Sequence, residues 1–292
     1  MKTLLITGSG GFVGKNLKEY FSDKYNVLSP RSNELNLINE EEVKKYFIEN
    51  QIDYIIHCAS IGGVRGEIDR NSTISDNLKM VDNLLKFKND NVKIILFGSG
   101  AMYDKSRNLR KIKEEEISRV IPKDLYGESK MLIAKKIQDR KDVVCLNIFA
   151  CYGKNEKETR FPTYAIEQNL KKEPIIINQN VIFDYLYIED LAKIIEKFLI
   201  KTPQENIINV TPNESISLFE ISELVNEISD FKSEIIIKNP ILAPEYTGDN
   251  SRLLNELPEL KFTSYKDGLK ILFNHLKVMK WFLWYFQNLV LE

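Results

Sequence analysis

Leu4-Leu5-Ile6-Thr7-Gly8-Ser9-Gly10-Gly11-Phe12-Val13-Gly14 is the stretch whose reading decides the fold. The apolar run from Leu4 to Ile6 reads as a buried parallel strand, and glycines then recur at Gly8, Gly11 and Gly14. Residues 15–21 read as a helix with Leu17 and Phe21 turned inward. Strand, glycine turn and helix in that order form a Rossmann unit, which cradles a dinucleotide pyrophosphate. One glycine permits the tight turn, another lets the backbone approach the phosphates, and a third lets the helix pack on the strand. Glycine spacing alone is equally compatible with an ordinary turn, so the rest of the chain must carry the assignment.

Working outward, residues 26–29 read as a second strand with Pro30-Arg31-Ser32 at its tip and no acidic residue until Glu34. An acid at that tip binds the ribose hydroxyls of NAD, whereas an arginine suits the 2′-phosphate of NADP. Arg31 therefore favours NADP(H), with NAD(H) as the alternative; a solvated surface arginine is the reading without function. Residues 40–50 form a helix opening on acids, with Val43, Phe47 and Ile48 on one side. Residues 53–59 are a buried strand that ends in a small-residue loop, 60–63, leaving room for a ligand at the strand's carboxyl end. His57 reads as a packed strand-end residue rather than a catalyst. Residues 76–87 are helical, and 92–97 form a strand running into Gly98-Ser99-Gly100-Ala101-Met102-Tyr103. The charge run at 111–116 reads as solvated surface. Alternation at this spacing predicts an α/β fold, a doubly wound parallel sheet covered on both faces.

A chain of 292 residues with 43% hydrophobic content can bury a large core, in one domain or two lobes. A net charge of -1 gives no electrostatic case for a nucleic-acid partner. Cys58, Cys145 and Cys151 lack metal-ligand spacing and read as reduced thiols, so no metal is expected. With no signal peptide and no apolar run of the ~18 residues a spanning helix needs, the expected location is cytoplasmic.

Tyr126-Gly127-Glu128-Ser129-Lys130 lies at the start of a helical stretch carrying Leu132, Ile133 and Ile137. Residues four apart share a helix face, so Tyr126 and Lys130 point the same way, and the ammonium favours the phenolate. Tyr126 thereby becomes a candidate proton donor or acceptor, and Ser99, at a strand end, a candidate partner for the same substrate oxygen. Tyr-x-x-x-Lys alone is a common accident on helices; behind a glycine-rich first strand and a strand-end serine it is not.

Together these residues make the chain resemble the extended short-chain dehydrogenases/reductases that act on nucleotide sugars, over nearly its whole length. Residues 31–37 and Gly62-Gly63 are most similar to the GDP-fucose synthase branch, which uses NADPH on 4-keto sugars. The resemblance implies Ser99, Tyr126 and Lys130 as catalytic residues. For the cofactor it implies Gly8, Gly11, Phe12, Val13, Gly14, Asn36, Leu37, Cys58, Ala59, Ser60, Asn77, Gly98, Phe149 and Cys151 beside Arg31. For the substrate it implies Gly63, Ala101, Arg160 and Phe161, while Arg252 reads either as a phosphate contact or as surface. It further implies a Rossmann domain from residues 1–152 with 181–210. A smaller α+β substrate lobe would comprise 153–180 with 211–292, and a homodimer is implied.

Departures from the family pattern narrow the expected reaction. Dehydratases carry an acidic pair after the serine, where this chain has Gly100 and Ala101; dehydration is not expected. GDP-fucose synthases epimerise with a cysteine at the second of these positions and a histidine where Arg160-Phe161-Pro162 stands, so epimerisation lacks its catalysts. Relatives have an arginine where Phe183 stands, which leaves the nucleotide open. Reduction of a 4-keto nucleotide sugar by NADPH is the leading expectation. Its rivals are a 4-epimerase holding NAD tightly and a non-catalytic NADP sensor. In the second lobe, helices are expected at 159–170, 188–200 and 217–228, the last capped by Ser215 or Ser217, with a short strand at 234–237. The apolar tail from Val278 to Leu291 is expected to bury in its own domain or a subunit interface rather than on a membrane surface.

Overall fold

A computed structural model of the chain describes residues 1–64 and 66–289, with side chains through residue 282. The first half runs β1 (Thr3–Thr7), α1 (Phe12–Phe21), β2 (Asn26–Leu28), α2 (Glu40–Glu49), β3 (Tyr54–His57), α3 (Thr73–Phe87), β4 (Lys93–Ser99), β5 (Leu109–Ile112), α4 (Leu125–Ile137), β6 (Val143–Ile148) and β7 (Ala150–Tyr152). It continues with α5 (Phe161–Lys171), β8 (Ile175–Gln179), β9 (Ile182–Phe183), β10 (Tyr185–Tyr187), α6 (Ile188–Ile200) and β11 (Ile207–Val210). The last part adds β12 (Ile216–Ser217), α7 (Leu218–Ile228), β13 (Ile235–Asn239), β14 (Tyr246–Gly248), α8 (Ser251–Glu256) and α9 (Tyr265–Leu289).

Six strands form one parallel sheet in the order β11-β6-β4-β3-β1-β2. Successive side chains on a strand face opposite sides. Leu4 and Ile6 accordingly enter one core with Leu17, Phe21, Leu191 and Phe198, while Leu5 enters the other with Val43, Val81, Leu84 and Ile133. Helices α1 and α6 cover the first face, and α2, α3 and α4 the second, which is the doubly wound arrangement read from the sequence. From β1 the chain steps to β2 on one side and then to β3 on the other. That reversal opens a crevice at the strands' carboxyl ends, where open α/β sheets bind ligands.

The remaining strands make small ribbons: β14 joins β5 and β9, β7 pairs with β10, and β8 with β13. Helices α5, α7 and α9 pack together beside them. Ser217, not Ser215, caps α7: its hydroxyl accepts from Glu220 N while the Glu220 carboxylate accepts from Ser217 N. Ser215 instead donates to Asp184 Oδ1 at 2.6 Å.

One surface expectation needs correction. The charge run at 111–116 is not all solvated. Glu114 is buried, accepts from Asn209 N at 2.7 Å, and faces Arg252. Of the apolar tail, Val278, Met279, Trp281 and Phe282 are about half exposed rather than buried within the chain. The tail's side chains beyond residue 282 lie outside the described residues. Among the described residues no helix is long and apolar enough to cross a membrane.

Candidate active site

The crevice holds a cavity of about 600 Å³ at the carboxyl ends of β1 and β3. Gly8, Gly11, Arg31, Asn36, Leu37, Cys58, Ala59 and Ser60 line it, with Ser9, Gly10, Ile61 and Met80. The amino end of α1 rises from this wall behind Gly11, with no side chain capping its first N–H groups and no acid in its first turn. Free N–H groups at a helix start, unopposed by a carboxylate, suit a phosphate. The helix comes this close because Gly14 is bare: a Cβ there would lie 2.3 Å from Gly8 O. Cavity, uncapped helix and exposed Arg31 at the rim fit a nicotinamide dinucleotide, and among the described residues no carboxylate lines the cavity to repel its phosphates.

Other predicted cofactor residues do not line this cavity. Phe12 and Val13 pack into the core beneath α1. Gly98 abuts Asn147, whose Oδ1 would be 2.0 Å from a Cβ. Phe149 stacks on Tyr103 at 5.9 Å, and the Cys151 thiol is held well above its ordinary range by burial. Asn77, also expected at the cofactor, has its side chain bonded within the protein. Its Oδ1 accepts from Ile61 N, and its Nδ2 donates to Ile61 O and to Ser129 Oγ, all within 3.0 Å. Every polar atom of that buried amide is spent tying the loop after β3 to α4.

Ser99 ends β4, and its Oγ accepts from Ala101 N at 3.2 Å. Tyr126 stands in the first turn of α4, and Lys130 one turn on, with its ammonium 5.4 Å from the Tyr126 ring centre. Lys130 is buried and donates to Phe97 O at 2.9 Å; among the described residues no carboxylate pairs with it. Its charge reaches His57 and Cys58, and Cys58 lines the cavity. Burial first, then Lys130, holds the His57 imidazole neutral, down at about 3, and its Nδ1 pairs with Thr7 Oγ1 at 2.8 Å. His57 is thus a packed residue, as its place at a strand end suggested.

One residue that sequence reasoning missed sets the tyrosine's place. Asp69 Oδ2 accepts from Tyr126 N at 2.8 Å, and Asp69 Oδ1 accepts from Gly63 N at 2.9 Å. The same carboxylate therefore holds the loop and the start of α4. Gly63 has φ +72°, and a Cβ on it would lie 2.8 Å from the Tyr126 ring. No local pattern marks Asp69, since its partner is 57 residues away. Asp124 was findable: it precedes the first helical residue and accepts from Gly127 N at 2.9 Å, an ordinary N-cap.

The predicted substrate residues divide. Gly63 faces Tyr126, and Arg160 is exposed at the start of α5. Ala101 and Phe161 are buried; Ala101's carbonyl packs under Gly127, and Phe161 joins the core of α5. Arg252 is no phosphate contact. Its guanidinium donates to Glu115 at 2.5 Å and to Ile207 O at 3.3 Å, and pairs with Glu114 and Glu205. It lies at the amino end of β11, beside a separate polar cavity of about 210 Å³. Among the described residues no group of three or more His, Cys, Asp or Glu could hold a metal.

The sequence profile described as the NAD dependent epimerase/dehydratase family matches residues 4–211. GDP-L-colitose synthase of Yersinia pseudotuberculosis is 26% identical over 260 residues, covering 80% of this chain and 84% of that one. GDP-6-deoxy-D-talose 4-dehydrogenase of Aggregatibacter actinomycetemcomitans is 24% identical over 293 residues, covering 93% and 97%. Among solved structures, MlghC, a GDP-mannoheptose C4 reductase from Campylobacter jejuni with NADP bound, superposes with a TM-score of 0.79. It shares 21% identity, over 94% of this chain and 98% of that one.

Proposed function

The chain belongs to the NAD dependent epimerase/dehydratase family, and within it we propose that it reduces the 4-keto group of a nucleotide-linked deoxy sugar with NADPH. One observation carries the reading: Ser99 and the Tyr126–Lys130 pair are presented without any carboxylate at positions 100 and 101. A dehydratase would need such an acid, and an epimerase acting beside the ketone would need a base at the second position. The names of the two curated relatives and of the solved reductase, all GDP-linked sugar enzymes with C4 chemistry in two of them, support the same class. Arg31 at the cavity rim favours NADP(H) over NAD(H).

The cofactor, when bound, supplies the hydride. The chain's own work is to hold the ketone and supply the proton. Ser99 Oγ donates a hydrogen bond to the ketone oxygen, and Tyr126 delivers its phenolic proton to that oxygen as charge develops there. Lys130, with no carboxylate partner among the described residues, stabilises the phenolate left behind and contacts the ribose. Gly63 and Arg160 border the sugar nucleotide. We read the active form as a homodimer.

The test is to mix the purified chain with NADPH and a panel of 4-keto sugar nucleotides, GDP-linked ones first, following NADPH absorbance. Consumption with formation of the 4-hydroxy sugar is expected. No turnover across the panel, with NAD retained through purification, would favour a 4-epimerase instead.

A further inference from the structure

We propose that α9 is a membrane-surface anchor: a stripe of exposed apolar side chains on its outer face settles into the headgroup region of an anionic bilayer, and Lys270 and Lys277 reach the lipid phosphates. The inference is independent of the reaction proposed above.

The 25 residues of α9 make a helix about 37 Å long. Its first turns belong to the core: Leu269, Leu272 and Phe273 are buried, and the helix packs on α5 and α7. A second apolar set faces the other way. Ile271, Val278 and Phe282 follow one another at steps of seven and four residues, which keeps them on one side of a helix, and all three are about half exposed. Trp281 is 56% exposed beside them, with its ring centre 5.2 Å from that of Phe282. One apolar stripe is what a helix needs to pack on its own protein; a second one serves something outside it.

Charge says what that is. Four lysines stand against one acid, Asp267, in α9, although the chain as a whole has a net charge of -1. Lys266 pairs with Glu227 and Lys280 with Glu167. Lys270 and Lys277 flank the outer stripe, are exposed, and have no carboxylate partner among the described residues. A second copy of the chain would bring the same two unpaired cations to the seam, whereas an anionic bilayer brings the opposite charge. Composition agrees. Both tryptophans of the chain, Trp281 and Trp284, fall in this helix, and residues 281–291 contain no charged residue. Aromatic residues beside lysines suit the boundary between headgroups and acyl chains. Among the described residues no helix is long and apolar enough to cross a membrane, so α9 lies along the surface.

The tryptophans make the test direct, because all tryptophan emission comes from α9. The full chain is titrated with vesicles of phosphatidylcholine alone and of phosphatidylcholine with phosphatidylglycerol, and binding is checked by co-sedimentation. Anionic vesicles should shift the emission to the blue and shield it from acrylamide, neutral ones far more weakly, and added salt should weaken the binding. Lys270→Gln with Lys277→Gln should raise the vesicle Kd about 25-fold, at about fivefold for each lysine. Both side chains are exposed, so the melting temperature should not move. Unshifted emission with anionic vesicles, equal binding to neutral ones, or undiminished binding by the lysine variant would each overturn the proposal. So would a dimer in solution that Val278→Ser with Phe282→Ser converts to monomer, since a second copy would then own this face.

Discussion

Lys130 and Arg252 are both cations set among partly buried groups, and the sequence offered both as ligand contacts. Their surroundings differ in one respect. Among the described residues Lys130 donates to one backbone carbonyl, Phe97 O, whereas Arg252 is enclosed by Glu114, Glu115 and Glu205. A cation already matched by carboxylates has nothing left to offer a phosphate or a phenolate. One with no carboxylate partner among the described residues, beside a phenol, keeps its charge for whatever arrives. The comparison separates a cation left available to a ligand from one that ties the chain together.

The widest gap should appear in kinetics. Lys130→Met is expected to lower kcat by about 10²–10⁴-fold, the usual range for losing support of a positioned acid, while Arg252→Met leaves kcat within about twofold. Equal losses in both would erase the distinction. A step smaller, Asp69→Ala frees both Tyr126 N and Gly63 N, and should cost about tenfold in kcat with NADPH affinity intact. Asp69→Asn, which keeps one acceptor oxygen, should recover part of it.

In stability the order reverses. Arg252→Met leaves the buried Glu114 without its cation and should cost about 1–3 kcal/mol in urea unfolding, whereas Lys130→Met leaves no carboxylate behind. A third effect, on pH dependence, concerns Glu156, just before α5. Burial pushes its carboxyl up from 4.5 to about 8, and Thr163 Oγ1 donates to its Oε2 at 2.8 Å. A raised folded pKa means the native state holds the proton more tightly than the unfolded one. That stabilisation is complete below 4.5 and lost as pH rises toward about 8. Melting temperature should therefore fall across that window, and Glu156→Gln, always neutral, should flatten the fall.

What could be read from sequence was local. The Leu4–Ile6 run, the glycines after it, the helix periodicities and the four-residue step from Tyr126 to Lys130 are all set within a few residues, and all stand as read. What escaped depends on partners far along the chain. Glu114 looked like surface because nothing nearby shows that Asn209 N, 95 residues on, will bind it. Asp69 sits in a loop without periodicity. Phe161 was read as a substrate contact, but an apolar residue opening a helix goes to the core when α5 has one to cover.

The bare backbone at Gly63 also tells a protein engineer where not to cut. Any side chain introduced there must shove aside the Tyr126 ring, the proposed proton donor, so libraries aimed at new sugars should hold that pair of glycines fixed. Arg160, exposed and free of capping duty at the threshold of its helix, is the better place to introduce variety.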